Sequence, residues 1–270
     1  MSLPDSRESG ERMRIRSLSK GLHVLSLFSI ERQELTLRDI IKETGFPRPT
    51  AYRLARTLED ERYLAFNGET SRYHLGPAMI PALYLIKDHS HLVRLLHDGL
   101  LELAEEAGEH ASLAMEVDQA AVVIDAASSS QNPFRPNLLV GRVQEGLSTA
   151  HSKVFAASKG KDELTALLAL PRTAWTEHTI TDPAMLAAEI ADVAHEGVAF
   201  DVEEYRLGLC AVAAPVMDKT GAVVASVSIE VSVERFGEAR RRLLAEMTKA
   251  FAERMSSELG YSSGSPITSK

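Results

Sequence analysis

Three observations predict an α+β chain of two domains. Helical periodicity fills residues 17–60, two short alternating runs joined by a polar turn follow it, and from Ala111 longer strands interleave with helices. At 270 residues the chain has room for two ordinary domains. With 44% hydrophobic and 25% charged residues, collagen-like, coiled-coil and wholly disordered readings are excluded.

Residues 1–16 are polar, carry Arg12, Arg14 and Arg16, and read as a disordered basic arm. A first helix starts near Ser17, with Leu18, Leu22, Leu25 and Phe28 at helical spacing on one face. Thr36 is expected to cap a second helix that holds Asp39 in its first turn and ends at Gly45. Pro47 and Pro49 lack amide donors, so a third helix begins at about Pro49 and runs to Asp60, with Leu54 and Leu58 inward. Strand-like runs Tyr63–Phe66 and Ser71–Leu75 flank the turn Asn67-Gly68-Glu69-Thr70.

After Gly76-Pro77, residues 77–89 form the expected linker, helical from Met79 to Lys87. An amphipathic helix then runs from His91 to Ala107, with Leu92, Leu95, Leu96, Leu100 and Leu103 on one side. Strands are expected at Ser112–Val117, Ala120–Ala126, weakly near Asn137–Val140, at Leu209–Met217 and at Ala222–Val231. Helices are expected at Thr149–Ser158, Asp162–Leu168, Pro183–His195 and Gly237–Leu259. The second domain is thus expected over 90–260, and 261–270 as a disordered tail.

Three helices and a hairpin, with Gly45 at the turn between helices two and three, have the layout of a winged helix-turn-helix over 17–76. A helix of this length fits the DNA major groove and presents its N-terminal residues to base edges. Arg48, Thr50, Ala51, Tyr52, Arg53 and Arg56 occupy those positions, and Arg72 on the hairpin suits a phosphate. The same module also serves protein docking, so an adaptor role stays open. One module makes few contacts, and specificity then requires a symmetric dimer on two half-sites.

Net charge is -8, which taken whole argues against a nucleic-acid coat. Residues 1–75, however, carry 13 basic and 11 acidic side chains, so the acidity belongs to the rest of the chain. The single cysteine, Cys210, excludes an intramolecular disulfide and reads as a small buried apolar residue. No apolar run reaches membrane-spanning length, and the first residues lack a signal-peptide core, so a cytoplasmic protein without membrane partners is expected. The nine histidines form no metal-ligand spacing, and no nucleophile elbow, P-loop or dinucleotide fingerprint occurs. No metal, no cofactor and no catalytic residue is expected.

The chain from Ser17 to Leu259 resembles the IclR-type bacterial transcriptional regulators. The resemblance rests on SLSKGLHVLSLF at Ser17–Phe28, LTLRDIIKETGFPRPTAYRLARTLEDERYL at Leu35–Leu64 and SRYHLGP at Ser71–Pro77. Further along it rests on GVAFDVEEYRLGL at Gly197–Leu209 and AVAAPVMDKTGAVVASVSI at Ala211–Ile229. It implies a winged helix-turn-helix, a dimerising linker helix and a GAF-like effector-binding domain with an antiparallel sheet. It also implies a dimer or dimer of dimers on a palindromic operator in double-stranded DNA. A GAF-like enzyme, or a metabolite-binding protein without a DNA role, is the alternative.

In Val223–Val231, Val227, Ile229 and Val231 share one face, and Ser226, Ser228 and Glu230 the other. By alternation alone the polar face meets water or lines a cavity. The resemblance implies a pocket for a small organic or aromatic acid, built from Thr149, Ala150, His151, Ser152, Asp201, Leu209, Ala211, Ser228 and Glu230. The helix start at Thr149 offers amides to an anionic group. The chain departs from the family at Gln144–Thr149, at Ser152, where a glycine is usual, and at Glu230, where a small polar residue is usual. A second carboxylate near Asp201 raises at least one pKa or demands a cation. Either the effector brings a donor or positive group, or His151 or Lys153 pairs with Glu230.

Overall fold

A computed structural model describes residues 15–29, 32–79, 91–132, 140–144 and 146–262, except for the side chains of 91–95. The chain divides into two compact units, Met1–His89 and Ser90–Lys270. The expected linker helix from Met79 to Lys87, the strand near Asn137–Val140, the arm with Arg12 and Arg14, and the tail lie wholly or almost wholly outside the described residues.

The first unit holds α1 (Arg16–Leu25), β1 (Leu35–Thr36), α2 (Leu37–Thr44), α3 (Arg48–Asp60), β2 (Leu64–Asn67) and β3 (Arg72–Leu75). The three strands form an antiparallel sheet in the order β1-β3-β2. Thr36 caps α2: its hydroxyl accepts from the Asp39 amide at 3.2 Å, and the Asp39 carboxylate accepts from the Thr36 amide at 2.9 Å. The Thr36 hydroxyl also donates to the Asp39 carboxylate at 2.7 Å, and this bond, followed by the one from the Thr36 amide, holds the carboxyl below its usual pKa. Gly45 ends α2 at φ 66°, a left-handed conformation that costs a residue with a Cβ, and frees the chain to turn into α3. Gly76 closes the wing, and a Cβ there would lie 2.2 Å from the Arg62 carbonyl oxygen.

Val24, Leu35, Ile40, Ala51, Ala55, Leu64 and Tyr73 form the core of this unit. One expectation is corrected. Leu18 and Leu22 are 58% and 57% exposed, because α1 turns Gly21 and Val24 inward instead. In α3, Ala51 and Ala55 are fully buried, and Leu54 and Leu58 are half-buried against the same core.

The second unit runs α4 (His91–Ala107), β4 (His110–Val117), β5 (Ala120–Ser128), β6 (Val143–Gln144), α5 (Ala150–Ala157), α6 (Lys161–Leu168) and α7 (Pro183–Glu196). It continues with β7 (Ala199–Val202), β8 (Leu209–Met217), β9 (Val223–Ser232), a 3-10 turn at Val233–Arg235 and α8 (Glu238–Glu258). Its antiparallel six-stranded sheet has the order β6-β5-β4-β9-β8-β7. Alternation on β9 sorts the faces as expected. Val227, Ile229 and Val231 pack with Leu96, Leu100 and Leu103 of α4 and Leu244, Phe251 and Met255 of α8. The opposite face carries α5. On β8 it presents Ala211 and Ala213, small enough for Ala150 and Val154 to sit down on the sheet. Two short strands, β6 and β7, and the two-residue β1 were not expected from the sequence.

Candidate functional site

In the first unit, Arg48, Tyr52, Arg53, Arg56 and Arg72 are exposed and Thr50 is half-buried. Tyr52, Arg53 and Arg56 lie on the side of α3 away from Ala51 and Ala55. Ala51 is fully buried, so its methyl packs in the core and has no route to a thymine methyl; that expectation is overturned. Arg56 is engaged by Glu59 at 3.1 Å and Asp60 at 3.3 Å, one turn along its own helix. Arg72 opens β3 opposite Thr36 and Asn67, in the pair that closes the hairpin turn.

In the second unit, a rung of the sheet aligns Asp201, Ala211, Glu230 and His110 across β7, β8, β9 and β4. Ala213, Ser228 and Ser112 align two residues further along on the same face. The N-terminus of α5 covers this surface. Thr149, Ala150, His151, Asp201, Leu209, Ala211, Ser228 and Glu230 line one cavity with about 30 Å³ free. Ser152 does not line it: its hydroxyl turns back to the Thr149 amide at 3.2 Å and caps α5. That reciprocal cap also occupies the Ser152 amide, so one of the helix-start donors is already spent.

Glu230 is only 4% exposed, which removes the solvent reading of the polar face. Its Oε1 accepts from Ser112 at 2.5 Å and from Ser228. Its Oε2 is buried with no hydrogen-bond partner. Burial pushes the carboxyl up to about 7, against the pull of the two serines. Asp201, 3% exposed, accepts from the amides of Glu204 at 2.8 Å and Tyr205 at 3.3 Å. Burial raises it to about 7 as well. The cause in both is lost hydration rather than mutual repulsion.

Neither expected cation reaches Glu230. His151 places Nε2 2.9 Å from Ser112 and Nδ1 2.9 Å from Ser226. Because Ser112 donates to Glu230, the consistent tautomer has Nε2 donating to Ser112 and Nδ1 accepting from Ser226. Burial lowers the imidazole to about 3, so it is neutral at physiological pH. Lys153 is completely buried and donates to Glu189, Glu204 and the Phe200 carbonyl, tying α5 to α7 and to the loop after β7. The pairing of His151 or Lys153 with Glu230 is therefore overturned.

Arg142, Gln144, Tyr205 and Arg206 complete the cavity wall and were missed. Tyr205 and Arg206 follow Asp201 within one motif and were within reach of the sequence. Gln144 sits on a two-residue strand that carries no periodic signal. Ser112, also missed, is findable only from the register that sets it opposite Ser228. Cys210 is fully buried, and burial pushes its thiol up to about 11. Among the described residues no group of His, Cys, Asp and Glu is arranged to hold a metal, and no helix is long and apolar enough to cross a membrane.

The comparisons with known proteins cover both units. Residues 17–68 match the IclR helix-turn-helix domain, and residues 85–257 match the bacterial transcriptional regulator IclR C-terminal domain. The Escherichia coli HTH-type transcriptional regulator XynR is 27% identical over 92% of this chain and 98% of its own. A putative IclR regulator from Silicibacter sp. TM1040 superposes with a TM-score of 0.84 at 25% identity, over 94% of this chain and all of that one. An IclR homologue from Microbacterium hydrocarbonoxydans, solved with 4-hydroxybenzoate, superposes with a TM-score of 0.74 at 18% identity, over 90% of this chain and 99% of that one. A helix-turn-helix with arginines on its free face, followed by a curled antiparallel sheet enclosing a polar cavity, accounts for both family matches. The chain belongs to the IclR family of bacterial transcriptional regulators.

Proposed function

We propose that this ligand-responsive, DNA-binding regulator reads a palindromic operator with α3 and senses a small organic effector in the cavity beneath α5. The cavity carries this reading: eight of the expected residues, from α5, β7, β8 and β9, meet around it, and a buried polar network of Ser112, Ser226 and Ser228 fixes His151 and Glu230 in place. The Microbacterium homologue's complex with 4-hydroxybenzoate supports a small-molecule role for this kind of domain.

On the DNA side, Arg48, Tyr52, Arg53 and Arg72 are the free contacts, and Thr50 borders them. Arg56 contributes after exchanging its helix carboxylates for phosphate. So few contacts require two copies, hence a dimer or dimer of dimers on two half-sites. No reaction is assigned. The Ser112–His151 contact resembles a nucleophile and base, but Ser112 is completely buried, donates its proton to Glu230 and is not part of the cavity wall. The protein works in the cytoplasm, where both operator and metabolite are found.

The test selects duplexes from a random pool with the full chain and measures their affinity across salt. Palindromic winners are expected, with Arg53→Ala weakening binding at least tenfold and lowering the salt slope by about one. Failure to enrich any duplex, or an Arg53→Ala chain that binds like wild type, refutes the DNA-binding assignment.

A further inference from the structure

We infer that the effector carries a cationic nitrogen, seated between Asp201 and Glu230, and so belongs to the amino-substituted small organic acids. The inference rests on the cavity being the effector site, as proposed above. Two buried polar atoms of the wall lack partners, Glu230 Oε2 and Gln144 Oε1, and both are acceptors once Glu230 is ionised. A buried acceptor left unmet costs free energy, so the complementary ligand supplies donors.

Charge narrows the class further. Asp201 and Glu230 share one rung, separated only by the methyl of Ala211. Neither His151 nor Lys153 serves Glu230, because His151 is neutral and Lys153 is spent on Glu189 and Glu204. An ammonium group brings three donors and a positive charge to two carboxylates whose ionised forms are penalised by burial. A hydroxyl brings one donor and no charge. At the remaining wall, Tyr205 and the exposed Arg206 suit the carboxylate end of the same molecule. The free volume of about 30 Å³ favours a small ligand.

Binding of a cation favours both carboxylates ionised, so it releases protons, and affinity rises from pH 6 to pH 8. The other titratable groups facing them are His151, Tyr205, Arg142 and Arg206, with His110 opposite Glu230 on β4 and the Lys153–Glu204 pair behind Asp201. The experiment uses the full chain and matched triplets: glycine, glycolate and acetate; β-alanine, 3-hydroxypropionate and propionate; 4-aminobutyrate, 4-hydroxybutyrate and butyrate. Thermal shift is followed by calorimetry in two buffers of different ionisation enthalpy.

At least one amino member should bind tenfold or more tightly than both counterparts, with proton release. Glu230→Gln should remove at least tenfold of that affinity and reduce the proton release. An amine no better than its counterparts, no binding by any amine, or an unchanged Glu230→Gln affinity overturns the inference. Leu209→Trp, at the half-buried edge of the cavity, separates the two levels of argument. A hydroxy acid whose binding it abolishes keeps the site and refutes the cation. A ligand whose binding it leaves intact places the effector site elsewhere and refutes both.

Discussion

Replacing Glu230 with Gln isolates one buried charge while keeping the shape of the side chain. The amide retains an oxygen for Ser112 and Ser228 and puts an NH2 where the unpartnered Oε2 stands. In the unfolded chain this carboxyl titrates near 4.5, whereas burial lifts it to about 7 in the fold. Between those values the folded protein holds a proton that the unfolded chain has lost. The contribution to stability is therefore fully present below pH 4.5 and is lost as pH rises through 7. A shift of this size corresponds to roughly 3 kcal/mol at about 1.4 kcal/mol per pH unit. Glu230→Gln should then match wild type near pH 5 and exceed it by roughly 3 kcal/mol at pH 8. Urea unfolding followed by Trp175, the sole tryptophan, reads this unit, since its ring packs 5.3 Å from Tyr205. Taking the difference between the two proteins at each pH cancels every other titrating group. A stability difference that stays flat from pH 5 to pH 8 refutes the account of a carboxylate penalised by burial.

Other perturbations probe the remaining structure. Thr36→Ala removes the α2 cap and should cost about 1 kcal/mol in unfolding of the first unit, whereas an unchanged midpoint would deny the capping box. Ala51→Val should overpack the head by about 1–3 kcal/mol, seen as a lower melting temperature; a changed base preference at full stability would instead restore the thymine contact. Cys210 should resist a thiol reagent in the native protein and react on addition of urea, and fast native labelling would contradict its burial. Lys153→Met strands Glu189 and Glu204 without their cation and should destabilise the second unit by about 3–5 kcal/mol, measured by Trp175 fluorescence.

What was legible in the sequence was what is decided locally. The Thr36–Asp39 cap, the left-handed Gly45 and the limits of α4 and β8 follow from short-range chemistry, and they stand within a residue of expectation. The apolar face of β9 was legible because period two leaves Val227, Ile229 and Val231 no other partner than a core. The destination of its polar face was not, because Ser226, Ser228 and Glu230 read alike whether water or α5 covers them. Ala51 was misplaced for a related reason: alanine at a helix N-terminus is equally at home on a surface or in a tight crossing. Lys153 was the least legible of all. A lysine is rarely buried, and nothing near it in sequence announces Glu189, 36 residues away, or Glu204, 51 residues away.

If the cavity is the effector site, as proposed, the same buried charge that lowers stability gives the sensor a source of signal. An effector shifts a regulator only through a difference in its free energy between two arrangements, not through affinity as such. Above pH 7 the buried Glu230 costs the folded unit roughly 3 kcal/mol relative to a hydrated carboxylate. On the proposed reading, a ligand that satisfies Oε2 offsets that cost only in an arrangement that buries it. Its differential preference then approaches two decades in the equilibrium between arrangements, within the usual range for allosteric coupling. In the proposed dimer, a helix-turn-helix with few exposed arginines per copy depends on how two copies are held for most of its operator affinity. A modest change in pairing is enough to switch it, and a sensor that delivers a few kcal/mol is matched to that demand.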